Sequence, residues 1–368
     1  MSFHVILRDS PYTHPLANYI TGFFAAWYVI WSANLLLVKS LQDLRRIQRH
    51  PYNPTIYLWQ HQPISNSFNR LAWSLDLTLN FRAFGWNFKT VQVRQPPITA
   101  GDLQAGLDPT KSNLCRQENL IPGRSAFLQE QVRRLFVSGM WLVVWPVIRG
   151  NVRILIPAAR FDHTLTDLLS VATTLYTFID EIHAVVSLIA VGLLSDESWR
   201  YPPLFGPLET LLSGRLQCKK YHSISDPNAK AFRDIWGKFW HNLLKEGLQA
   251  TSKAIVPWRH PKALWSLTRI WTCFILTGAV HAAASYVVSR EPKPSLYAGV
   301  FYCLQPVGIA IQMAIAAALR SMLPISAFRN KAETAVNYAV GLLWLRYCFP
   351  WIADDPALRE AIGAIRAI

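Results

Sequence analysis

Charge is scarce in this chain. Only 16% of its 368 residues are Asp, Glu, Lys or Arg, and the 22 acidic residues are outnumbered by 37 basic ones. With 51% apolar residues and 15 Trp, this composition argues against the pair of soluble domains that the length alone would suggest. Cysteine is scarce as well. Cys115, Cys218, Cys273, Cys303 and Cys348 show no paired spacing, and three of them lie in apolar runs, so neither a disulfide framework nor a zinc site is indicated. Soluble-enzyme signatures are missing: no P-loop, no dinucleotide-binding glycine fingerprint, no HExxH and no Gly-x-Ser-x-Gly. No internal repeat or low-complexity tract is visible. The repeated halves and broken helices of a secondary transporter are therefore not apparent.

What the chain has instead is apolar runs of membrane length. Leu16–Val38, Thr166–Leu194, Leu264–Val288, Leu296–Leu319 and Ala335–Trp351 read as spans. Leu135–Ile148 is shorter, but Arg133, Arg134 and Arg149 flank it like interface anchors. Leu71–Phe88 is ambiguous, because Asp76 and Arg82 interrupt it. The first run is too long for the apolar part of a cleavable signal and lacks a small-x-small cleavage site.

The formal charge of +15 is concentrated in loops. Residues 39–132 hold 11 Lys/Arg against 6 Asp/Glu, and residues 215–262 hold 10 against 3. Arg320, Arg329 and Lys331 form a third basic loop. Six spans would put all three loops on one side, which the positive-inside rule makes cytosolic, with both termini lumenal. Basic membrane loops account for the charge, so no nucleic-acid partner is expected. The expected fold is all-α: residues 1–368 as a single membrane-embedded domain, a polytopic transmembrane helix bundle of about six to eight spans. Residues 195–262 would form a cytosolic loop.

Inside that loop the periodicity changes. Trp236, Phe239, Trp240, Leu243, Leu244 and Leu248 recur at three- and four-residue spacing, with Lys238, Asn242, Lys245 and Gln249 on the other face. Such a helix prefers the membrane interface. Read plainly, it is a surface helix with no chemistry.

One ionisable residue lies deep in a span. Leu264–Val288 is 25 residues long, about 37 Å of helix against a hydrocarbon core of roughly 30 Å. His281 lies 17 residues in from Leu264, about 25 Å along the axis. Burying such a group is costly, and one that persists is a functional candidate. The plain alternative is a histidine hydrogen-bonded across a helix interface. Thr277, Gly278, Ala284 and Ser285 lie within a turn of it. Small residues there admit either a second helix or a substrate. Asn34, Asp180, Glu181, His183, Gln305 and Gln312 are further polar residues within apolar runs and suggest a polar cavity. Gln305 and Gln312, seven apart, share a face. Asp354-Asp355, by contrast, reads as solvated surface.

Several segments, taken in order, resemble the wax-synthase-like branch of the membrane-bound O-acyltransferases, including fungal members that acetylate secondary metabolites. They are Asn80-Phe81-Arg82-Ala83-Phe84-Gly85-Trp86-Asn87, Pro203-Leu204-Phe205-Gly206, Phe232–Asn242, Phe274–His281, Leu304-Gln305-Pro306 and Gly341-x-x-Trp344. Ile235 and Thr277 replace the usual Phe and Ser, and Gln312 stands where an acid is usual. The resemblance implies acyl transfer from acyl-CoA, with acetyl-CoA favoured over a long-chain donor, to a hydroxyl of a hydrophobic terpenoid or polyketide-derived alcohol. No permanently bound cofactor or metal is implied, and the expected setting is the endoplasmic reticulum bilayer. His281 would be the base, assisted by Trp240, His241 or Asn242, which the sequence does not rank. Lys238 and Lys245 would meet CoA phosphates, with Trp236 and Gln305 also bordering the donor. Cytosolic acyl-CoA could then reach His281 only through an internal tunnel bordered by His281, Gln305 and the 236–248 helix. A multi-pass transporter and a non-enzymatic scaffold remain the readings from other classes.

Overall fold

A computed structural model describes residues 15–49, 57–63, 67–81, 86–87, 124–155, 163–193, 236, 244–257, 261–324 and 327–360. The helices are α1 (Pro15–Ala33), α2 (Ser67–Leu79), α3 (Arg124–Leu155), α4 (His163–Ser187), α5 (Lys245–Ile255), α6 (Lys262–Ser289), α7 (Pro292–Met322), α8 (Ala327–Cys348) and the short α9 (Pro350–Ala353). Wider π-type turns extend α1 through Asn34–Val38 and α4 through Leu188–Leu193. One departure from all-α is a short antiparallel ladder. In it β1 (Arg46–Arg49) pairs with β2 (Tyr57–Gln60), Arg46 opposite Gln60.

Three stretches are long and apolar enough to cross a membrane: Pro15–Val38, Leu264–Ser289 and Pro292–Met322. They coincide with three of the runs read from sequence. The runs in α3, α4 and α8 are helical too, but they fall short of that apolar test among the described residues. Among its described residues, the ambiguous Leu71–Phe88 does not form a helix of membrane length. Its helix, α2, has 13 residues, about 20 Å. The chain then turns so that Trp86 is buried and bridges to Arg46, while its indole donates to Asp76 at 3.0 Å.

The polarity of the bundle is inverted relative to a soluble core. Phe136, Val143, Leu264, Ile275 and Leu343 are exposed, whereas Asn34, Gln305, Gln312 and Asn337 are buried. Exposed apolar faces suit a hydrocarbon solvent, and inward polar groups are what such a bundle must pair internally. Two cross-helix ion pairs show this. Arg134 of α3 binds Asp180 of α4, with Ser138 adding a bond to the same carboxylate at 3.3 Å. Arg320 of α7 binds the fully buried Glu333 of α8. At Asp180, then, the inward polar group is met by a salt bridge. Asp180→Ala is expected to destabilise the protein by about 3–5 kcal/mol, because it strands a buried guanidinium. Thermal aggregation of the detergent-solubilised variant would measure it.

The helices that carry His281 are joined by only two residues. Arg290 takes a left-handed conformation (φ 57°) and donates its N–H to the Tyr286 carbonyl, ending α6. Pro292 then starts α7, where its missing N–H costs nothing. The resulting hairpin closes tightly because glycines meet at the crossing. A Cβ placed on Gly278 would lie 2.7 Å from the Gly299 carbonyl oxygen. The small-residue face of α6 therefore admits helices: α7 at Gly278, and α1 at Ala284, which lies against Gly22. Pro306 inside α7 carries no N–H, so the helical bond to the Tyr302 carbonyl is missing.

The amphipathic segment also differs from expectation. Its described helix starts at Lys245 and continues to Ile255. Glu246, Gly247 and Leu248 are buried, with Gly247 packed on Trp27 and Trp31 of α1. Leu244 and Leu248 join a core with Trp27, Trp31 and Val280. The helix is wedged between α1 and α6 rather than lying free on the membrane surface, because its apolar stripe finds protein partners.

Candidate active site

The imidazole of His281 is 7% exposed. It sits about 12 Å from the Ser289 end of α6, eight residues away. Three rings enclose it. Tyr302 of α7 stacks on it at a centroid distance of 3.8 Å and an angle of 14°. Phe23 of α1 meets it edge-on at 5.1 Å. Tyr19, one turn earlier on α1, places its hydroxyl 2.6 Å from Nδ1.

Each contact follows from the packing. The glycine crossing brings α7 close enough for ring stacking. Gly22 lets α1 close on α6, so that Tyr19 and Phe23, four residues apart and on one face, both point at the imidazole. The hydrogen bond at Nδ1 fixes the orientation of the ring.

The other residues singled out by sequence are distributed as follows. Trp236 is brought in: its indole meets Tyr302 edge-on at 6.1 Å and Phe274 at 5.7 Å. Gln305 is fully buried but turned back on its own helix, its amide donating to the Phe301 carbonyl. Lys245 begins α5, next to Glu246, whose carboxylate lies 4.0 Å from Lys39. Burial lowers the Lys39 ammonium below its ordinary range, and Glu246 partly offsets this. Lys238, Trp240, His241 and Asn242 lie outside the described residues. The direction of α5 is nonetheless defined. Ser252 Oγ bonds to the Arg269 carbonyl, and Leu248 accepts from Cys273. Leu244 lies in the cluster that contains Val280. Moving back along α5 toward Leu244 therefore moves along α6 toward His281. Among the described residues, no group of His, Cys, Asp and Glu could hold a metal.

Three participants were not legible as such. Tyr19 and Phe23 read only as aromatics of the first span, and Tyr302 as part of an apolar run. The one signal was their presence on faces that also carry small residues.

Comparison with known proteins agrees with the motif-based resemblance. Residues 220–304 match the membrane bound O-acyl transferase family, a stretch that includes Trp236, His281 and Tyr302. Acetyltransferase aurG of Calcarisporium arbuscula is 25% identical over 276 residues, covering 66% of this chain and 61% of that protein. Acetyltransferase spyB of Aspergillus fumigatus is 27% identical over 146 residues, covering 38% of this chain and 21% of that protein. Acetyltransferase ataH of Aspergillus terreus is 26% identical over 176 residues, covering 45% and 48%. The chain thus spans less than two thirds of the length of these relatives. No solved structure matches it. The family match and the three apolar helices make it an integral membrane protein similar to fungal acetyltransferases.

Proposed function

We propose that this chain, which carries a membrane bound O-acyl transferase segment at residues 220–304, transfers an acyl group from acyl-CoA to the hydroxyl of a hydrophobic alcohol. The donor is acetyl-CoA, and the acceptor is a terpenoid- or polyketide-derived secondary metabolite. The observation that carries the reading is the enclosed His281, its Nδ1 held at 2.6 Å by Tyr19.

The chemistry follows from that contact. If Nδ1–H donates to the Tyr19 oxygen, the lone pair is left on Nε2, the arrangement a base requires. Nε2 accepts the proton of the acceptor alcohol as its oxygen attacks the thioester carbonyl. The C–S bond then breaks, and the imidazolium returns the proton to the departing CoA thiolate. Tyr302, stacked on the ring, stabilises the imidazolium in between. The oxyanion needs a donor. The direction of α5 supports Trp240, His241 or Asn242, just upstream of Leu244, as its source. Lys238 and Lys245 are assigned to the CoA phosphates, with Trp236 lining the acyl path beside Tyr302. A tunnel from the cytosolic face, in a bundle of about six to eight spans in the endoplasmic reticulum, would complete the site.

Microsomes carrying the protein, incubated with labelled acetyl-CoA or palmitoyl-CoA and a panel of hydrophobic alcohols, test the reading. Acetyl transfer supports it, and transfer from palmitoyl-CoA alone would replace it with wax-ester synthesis. Tyr19→Phe, which keeps the ring and removes the hydroxyl, is expected to lower kcat about tenfold with KM nearly unchanged, since orientation of the base is lost and binding is not.

A further inference from the structure

Asp354 and Asp355 look alike in sequence and differ in the structure. Asp354 is exposed and bonds to Arg359 at 3.0 Å, as a surface acid does. Asp355 is 3% exposed, which corrects the expectation of a solvated pair. Its Oδ1 accepts the N–H groups of Ala357 at 3.0 Å and Leu358 at 3.2 Å, capping the turn that follows. Its Oδ2 is buried and makes no hydrogen bond among the described residues.

One side chain of α6 bears on that carboxylate. Ser285, whose hydroxyl is also buried, is close enough to favour the charged carboxylate, yet no bond of ordinary geometry closes between them. Ser285 lies four residues beyond His281, on the same face of α6. Ile352, three residues before Asp355, packs on the cluster that contains Tyr302, whose ring stacks on the imidazole. The titratable groups packed against His281 include Tyr19 from α1 and Tyr302 from α7. Cys348 of α8 lies in the apolar cluster of Tyr302, and Arg359, on the aspartate's own segment, is engaged by Asp354.

We propose that Asp355 is the buried counter-charge of the His281 site, a positioning residue that acts through Ser285 and the tyrosine pair to favour the protonated imidazole during the reaction. The proposal rests on the reading of His281 as the base. A carboxylate near an imidazole raises its basicity, because opposite charge favours the protonated form. It thereby opposes the burial that would otherwise leave the base too weak. Burial likewise pushes the Asp355 carboxyl up from its ordinary range, and Ser285 and the Leu358 and Ala357 amides hold it down.

The test compares Asp355→Asn, Asp355→Glu and Ser285→Ala with the parent protein in microsomes at matched abundance. Labelled acetyl-CoA is the donor, and farnesol and hexadecanol are the probe alcohols. Asp355→Asn should lower kcat about tenfold while KM for acetyl-CoA changes less than twofold. The acid limb of its kcat/KM profile should move to lower pH by about one unit. Asp355→Glu should restore part of the rate, and Ser285→Ala should shift the limb in the same direction but less. A parallel readout needs no acceptor: carbethoxylation of His281 by diethyl pyrocarbonate against pH, followed by peptide mass spectrometry. Its midpoint should fall in Asp355→Asn. An unmoved limb and midpoint in Asp355→Asn, with Ser285→Ala also unshifted, overturns the proposal while leaving the acyltransferase reading intact. A shifted carbethoxylation midpoint in a protein that transfers no acyl group supports the coupling and overturns that reading instead.

Discussion

Replacing His281 with alanine is expected to lower acyl transfer by about a hundred- to ten-thousandfold, the range for loss of a general base. That corresponds to about 3–5 kcal/mol of transition-state stabilisation. The chain should still fold, since Phe23, Tyr19 and Tyr302 are anchored on their own helices and the change removes one side chain between them. Labelled-acetyl transfer in microsomes at equal protein abundance measures the effect, and His281→Gln, closer in volume, separates lost chemistry from lost packing. A folded His281→Ala protein working at the parental rate would sink the assignment.

The second large effect comes from the glycine crossing, one turn from His281. Gly278→Ala adds one methyl, and its Cβ would meet the Gly299 carbonyl oxygen at 2.7 Å and Cys303 Sγ at 3.0 Å. Backbone cannot rotate away as a flexible side chain can. The two helices must separate, at a cost of about 1–3 kcal/mol. Tyr302 rides on α7, so the ring stacked on His281 moves with it. A displacement approaching 1 Å near reacting groups lowers a rate by about a hundredfold. Gly139→Ala is the matched control. Among the described residues its Cβ would meet only Glu181 Oε1, at an ordinary 3.8 Å, and alanine is the better helix former by about 0.5–1 kcal/mol. The melting temperature of the purified protein should fall for Gly278→Ala and stay level or rise for Gly139→Ala. Equal effects at the two sites would remove the close crossing as the reason.

Much of the helical architecture was legible because hydrocarbon length and apolar composition leave a strong trace. Leu264–Val288 and Leu296–Leu319 fall within α6 and α7. What failed was local. Leu71–Phe88 had the composition of a marginal span, but a run does not reveal that Trp86 will turn back to cover Asp76. Asp354 and Asp355 are neighbours of one chemical type, and only the fold decides that one faces solvent and the other the bundle interior. Asp180 marked itself as unusual by its depth. Its partner Arg134 read as an interface anchor, because pairing between α3 and α4 depends on register that no single run encodes. At the site, His281 was conspicuous as an ionisable group among apolar residues. Tyr19 and Tyr302 were not, since aromatic residues are at home in any span and their roles come from direction.

The two-residue joint at Arg290 and Glu291 has a consequence for how the protein is made. His281 and Tyr302 belong to one short hairpin, so their stacking is a local event that can form as soon as both helices leave the ribosome. The hydrogen bond between Tyr19 and His281 closes a separation of 262 residues, and such non-local closure is entropically late. Helix α1 must therefore wait in the bilayer, while the intervening residues are synthesised, for the partner its tyrosine holds. One ring of the cage is in place once the hairpin forms, and the other two arrive only when α1 docks on it.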